Sequence, residues 1–261
     1  MPEEIKWFSS EHHCGFRDAT MFSYPEPLQN LFFTLINKVS SEETIDCALN
    51  EISSEQYIVH IVPFLLKYSM NMISMKMSSC LDVLRALLIV QSLVENRDID
   101  LTIYLNHILS ITYSALIPSL PYEGPLDDQV EVYTTSSCLI KSIIERFSPH
   151  SPHIFETIIE SLLQPLGEPH PHKIYGSILS IYEMSMDVFI NVVLPLVPSI
   201  MQHIRNQYPN MSNMTKLFAL LLNSTLERYT RACFQCESYH NEFKEETEIL
   251  ISNAILSIGV Y

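Results

Sequence analysis

Apolar residues recur at helical spacing along almost the whole sequence, and this recurrence constrains the fold more than any other feature. Between Pro152 and Leu166, the residues Ile154, Phe155, Ile158, Ile159, Leu162, Leu163 and Leu166 fall on one face. Glu156, Thr157, Glu160, Ser161 and Gln164 fall on the other. Ser151 stands where a helix cap is wanted and Pro152 at the favoured first position. The pattern predicts a helix with one buried face.

The same reading predicts helices over Pro27–Lys38 and Glu42–Ile52, then Tyr57–Met77 with a break near Pro63, Leu81–Val94 and Leu101–Ile117. Pro118–Asp128 holds three prolines and Gly124, and reads as a loop and an internal boundary. Beyond it come Val130–Phe147, Pro152–Leu166, Tyr175–Met184, Val188–Arg205, Thr215–Cys236 and Glu242–Leu256. Short connections favour antiparallel neighbours, and a helix pair with an uncovered apolar face favours stacking on the next pair. The expected class is all-α, a HEAT-like α-solenoid of about five antiparallel helix pairs, over residues 25–261, preceded by an arm at 1–24. A branched-aliphatic–proline step recurs at Val62-Pro63, Ile117-Pro118 and Val197-Pro198, at separations of 55 and 80 residues. Those spacings lie near one and two repeats of about 40–47 residues.

Composition narrows the function classes. Only five glycines leave no glycine-rich phosphate loop. Thirty acids against fifteen bases give a net charge of −15, which repels a nucleic-acid backbone, and the bases form no cluster. Proteins with basic surfaces suit the balance better. Met1 to Trp7 carry acids rather than a leader's basic start, and the apolar stretch Val188–Met201 is too short to span a bilayer. Six scattered cysteines read as reduced thiols.

Several segments together resemble a known family. They are Glu55 to Phe64 (a short helix entering an apolar–proline–aromatic step), Leu84 to Asn96, Leu101 to Leu109, Leu116 to Leu120, His172 to Ile178 around Tyr175-Gly176, and Val192 to Pro195. Their order is similar to that of the HEAT-type C-terminal domain of the sixth TATA-binding-protein-associated factor of TFIID, from about Pro27 to about Arg205. Ile174 stands where that family usually has arginine. The family's N-terminal histone fold has no counterpart, so its pairing role does not carry over. The resemblance implies a nuclear scaffold that contacts other TFIID subunits, extends to SAGA-type coactivators, and self-associates. The other reading of the same pattern is an unrelated helical-repeat adaptor in transport or trafficking.

Catalytic and metal signatures are weak. Cys233 and Cys236 with His240 make the most metal-like cluster, yet zinc wants four ligands and no second pair lies near. A thiol or metal enzyme built there is the competing class. No nucleophile elbow or tuned carboxylate pair is present, so the expectation is no enzyme, no cofactor and no small-molecule substrate. Met70, Met72, Met75 and Met77 read as core filler. The candidate interface is the acidic group Glu123, Asp127, Asp128 and Glu131, facing a basic partner. Tyr175 and Gly176 are expected to serve packing, with the glycine letting two helices approach closely.

Overall fold

A computed structural model describes residues 25–74 and 79–235 of the chain. Eleven stretches of α-helix follow one another among them: α1 (Glu26–Ser40), α2 (Ile45–Ser54), α3 (Val62–Ser74), α4 (Cys80–Glu95), α5 (Leu105–Leu116), α6 (Leu126–Phe147), α7 (Ile154–Leu163), α8 (Pro171–Met184), α9 (Met186–Val188), α10 (Leu194–Gln207) and α11 (Asn213–Gln235). The described residues contain no strand. Tight 3₁₀ turns lead into α3 at Gln56–His60 and into α5 at Thr102–Tyr104. The fold is all-α and HEAT-like.

Two compact units form. One takes the described residues up to Ala115 together with Tyr122–Arg146, and the other takes Leu116–Pro121 together with those from Phe147 onward. In the first, α1 packs on α2, and both α2 and α3 pack on α4. Helix α4 is well suited to the centre: Val83, Ala86, Leu87, Val90, Leu93 and Val94 are buried. Its start is fixed by Ser79, whose hydroxyl accepts from the Asp82 amide at 3.3 Å. Lys38 donates to Glu51 at 2.8 Å and ties α1 to α2, and Tyr57 donates to the same carboxylate at 2.7 Å.

In the second unit, α8 is the central helix. Every residue from Pro171 to Ile181 except Lys173 is buried, with α7 packed on one side and α11 on another. Tyr182 stacks on Tyr229 with ring centroids 3.6 Å apart, and Phe189 meets both edge-on. Such aromatic contacts add roughly 0.5–1.5 kcal/mol each beyond area burial.

Helix boundaries differ from the expected ones where local chemistry competes. The stretch Tyr57–Met77 resolves into a 3₁₀ turn and α3, because Pro63 sits at the start of α3, where its missing amide is harmless. Helix α6 begins at Leu126, so the proline-rich connector is shorter than Pro118–Asp128. Helix α7 starts at Ile154 after His153, with no side-chain cap from Ser151. Instead the Ser151 carbonyl accepts from the Ile154 amide at 3.0 Å. The three proline steps occupy unlike places: Pro63 opens a helix, Pro118 lies in a connector, and Pro198 sits inside α10. They are therefore not copies of one repeat position. The predicted helix Glu242–Leu256 lies outside the described residues.

The apolar run near α10 extends beyond Val188–Met201. Met186–Asn210 is a helical run of 25 residues, long and apolar enough to span a bilayer by length and composition alone. It passes without interruption through a π-turn at Phe189–Val193 and through Pro198, and 44% of its most apolar stretch is buried inside the protein. Phe189, Val193, Val197, Met201 and Ile204 make this a core-facing helix of the second unit.

Gly124 turns the chain into α6 with φ of +123°, a backbone region that L side chains rarely adopt. An added Cβ there would meet only the Cys80 sulfur, at an ordinary 3.9 Å. Gly124→Ala is therefore expected to destabilise the first unit through backbone strain, by about 1–2 kcal/mol, read as a lower urea midpoint with unchanged slope.

Candidate functional site

The acidic group falls at one end of α6. Glu123 precedes the helix, and Asp127, Asp128 and Glu131 lie on its first two turns, all four exposed. Asp127 and Asp128 also complement the positive end of the α6 dipole, so part of their charge has a local structural use. Among the described residues, none of the four takes part in a salt bridge.

Tyr175 and Gly176 are both buried in α8, the helix on which α11 packs. The Tyr175 ring lies 6.2 Å from that of Phe218 on α11, and burial pushes its phenol pKa up. A phenol so held is a poor proton donor to any external group.

The described residues hold no group of three or more side chains able to share a metal ion. Cys233 is buried, while Cys236 and His240 lie outside the described residues. Of the methionine group, Met70 and Met72 are half-buried on α3, and Met75 and Met77 lie outside the described residues.

Sequence reasoning missed the polar centre of the first unit. Asn96, fully buried after the end of α4, donates through Nδ2 to the Ile52 carbonyl at 2.8 Å and to the Glu55 carbonyl at 3.1 Å. Its Oδ1 accepts from the Asp98 amide at 3.1 Å. The side chain thereby clamps the turn after α4 onto the turn after α2 and uses both kinds of amide valence. Arg146, in the last turn of α6, then covers the same region from the other side. Its Nη1 donates to the carbonyls of Leu93 at 3.0 Å, Val94 at 2.6 Å and Asn96 at 2.8 Å, and its Nη2 donates to that of Ile99. One guanidinium thus serves the carbonyls that α4 leaves open at its C-terminal end, where the helix dipole favours a cation. Burial, and next Arg97, hold the Arg146 pKa below its ordinary value, but an arginine keeps its charge. The spacing between Asn96 and Arg146 carries no local signal, so only tertiary structure could join them.

His172 plays a comparable part in the second unit. Its Nε2 lies 3.2 Å from the Pro118 carbonyl and donates to it, while Nδ1 is buried with no partner. The ring sits 5.7 Å from that of His170 and 6.1 Å from Phe218. These are positioning contacts within a core.

The sequence matches the family described as the TAF6 C-terminal HEAT repeat domain over residues 26–198. Among solved structures, the TAF6 C-terminal domain from Antonospora locustae superposes with a TM-score of 0.62 at 18% identity, covering 77% of this chain and 98% of that one. At that identity the likeness speaks for the fold. A search of curated proteins returned no match. The matched span runs from α1 into α10 and takes in both the Asn96–Arg146 clamp and the His172 contact. On these grounds the chain belongs to the TAF6 C-terminal HEAT repeat domain family, a structural, non-enzymatic kind of domain from TFIID-type transcription factor subunits.

Proposed function

We propose that the chain is a scaffold within TFIID-type complexes in the nucleus, making protein–protein contacts and catalysing nothing. The family match carries this reading: in one span, residues 26–198, it takes in the described part of the first unit and the second unit as far as residue 198. We further take residues 25–261 to act as one HEAT-like domain. The internal polar side chains fit the role: Asn96, Arg146 and His172 are spent on backbone carbonyls, as in a frame rather than a catalytic centre. Other TFIID subunits are the proposed partners, with self-association and SAGA-type coactivators as extensions of the same reading. The net charge of −15 favours partners with basic surfaces over nucleic acid.

The acidic group is the first contact surface to test. Mixed with purified TFIID subunits, the chain should co-elute with at least one of them. Reversing Glu123, Asp127, Asp128 and Glu131 to lysine should weaken that complex by about tenfold or more. Unchanged binding removes these four residues from the interface. Co-elution with no subunit at all contradicts the scaffold reading.

A further inference from the structure

The edge of the first unit that Asn96 clamps together carries apolar side chains its own core does not use. Ile103, in the 3₁₀ turn before α5, is 75% exposed, and Tyr57 and Val59, in the equivalent turn before α3, are 41% and 38% exposed. These two turns follow the segments that the Asn96 side chain bonds to one another, Ile52–Glu55 and Asn96–Asp98. The Tyr57 ring is further oriented by its hydrogen bond to Glu51. Surface loops are ordinarily the mobile part of a helical protein, and here they are locked by side-chain bonds to backbone. A partner meeting this edge would therefore spend little on ordering it.

The charge of the same edge selects the occupant. Glu55, Glu95, Asp98 and Asp100 are all exposed here, against Arg97 as the exposed guanidinium. Burial, then Glu51 and least Glu55, push the Tyr57 pKa up, so the Glu55 charge also reaches this ring. We propose that this edge is a docking surface for a basic segment of another protein that carries an aliphatic or aromatic anchor. The anchor seats on Ile103 and Val59, and a Lys or Arg lies over the Tyr57 ring against Glu55, where cation–π and ionic attraction act together. A second copy of this chain would bring the same negative edge and be repelled, as would a phosphate backbone. The proposal rests on the scaffold reading and names the chemistry of one partner.

The test is a fluorescence-anisotropy titration of the full chain with a labelled short peptide of alternating Lys and Leu. Peptides of alternating Glu and Leu, and of Lys and Ser, serve as comparisons. The expected result is that the Lys–Leu peptide binds best. Val59→Ser with Ile103→Ser should weaken it by about tenfold or more, and so should Glu55→Lys with Asp98→Lys. Leu217→Ser with Leu220→Ser, on exposed positions of α11, should leave it unchanged. All these side chains are exposed, so melting curves within a few degrees of the parent confirm folding. Equal binding of the Glu–Leu peptide overturns the proposal, as does equal loss in the α11 variant. Edge variants that bind within about twofold of the parent overturn it too. The titration needs no TFIID subunit, so its failure is distinct from failure of the scaffold reading.

Discussion

Arg146→Ala should destabilise the first unit by about 3–5 kcal/mol, the largest effect of any substitution outside the apolar core. Four carbonyls lose their donor at once: Leu93, Val94, Asn96 and Ile99. Three of them belong to the last residues of α4 or to the residue just after it, where no further helical amide is available. Each unsatisfied, partly buried carbonyl costs about 1–3 kcal/mol, reduced where water can enter beside a half-buried side chain. Arg146→Lys keeps the charge but replaces a planar fork with a point donor on a flexible stem, and should recover only about half the loss. Urea unfolding of the two variants checks this. A loss below about 1 kcal/mol for the alanine variant would mean that the clamp is incidental to stability.

Acid should loosen the second unit through His172. Burial, the largest cause, drives the pKa of this imidazole down from 6.5 to about 4. The Pro118 hydrogen bond opposes that shift, while His170 and Lys173 reinforce it and Glu168 opposes it. The folded chain therefore binds a proton less readily than the unfolded chain, whose imidazole titrates near 6.5. Stability from this group is fully present above pH 6.5 and is lost as pH falls toward 4. A drop of ~2.5 in pKa at 1.36 kcal/mol each corresponds to about 3 kcal/mol. Protonation would also place a buried N–H on Nδ1, which has no acceptor. The stability gap between the parent and His172→Phe should therefore narrow by about that amount between pH 7.5 and pH 4, measured by urea unfolding at each pH. A gap that stays constant would show that the imidazole titrates alike in the folded and unfolded chain, so that burial does not depress its pKa.

The helical architecture was legible because the signal was local. The periodicity of Ile154 to Leu162 marks the buried face of α7 directly, and that of Val83 to Val94 does the same for α4. Boundaries were less legible where a 3₁₀ or π turn gives nearly the same apolar spacing as an α-helix, as at Thr102–Tyr104 and Phe189–Val193. Pro198 shows the limit of reading proline as punctuation, since α10 continues through it. The polar clamp was not legible at all. Asn96 and Arg146 each stand near a helix end, and their separation of 50 positions hides their meeting. Likewise, exposure at Ile103 looks like core periodicity in the sequence, and only the fold turns that side chain outward. The acidic group stands out in the sequence because clustered charge is visible without a fold; the structure adds its exposure at the start of α6.

Affinity purification of the tagged chain from nuclear extract, read by mass spectrometry, tests the central claim most directly. The scaffold account predicts recovery of other TFIID subunits well above the level obtained with an unrelated acidic helical-repeat protein. Recovery of transport or trafficking proteins in their place, with TFIID subunits absent, would contradict it.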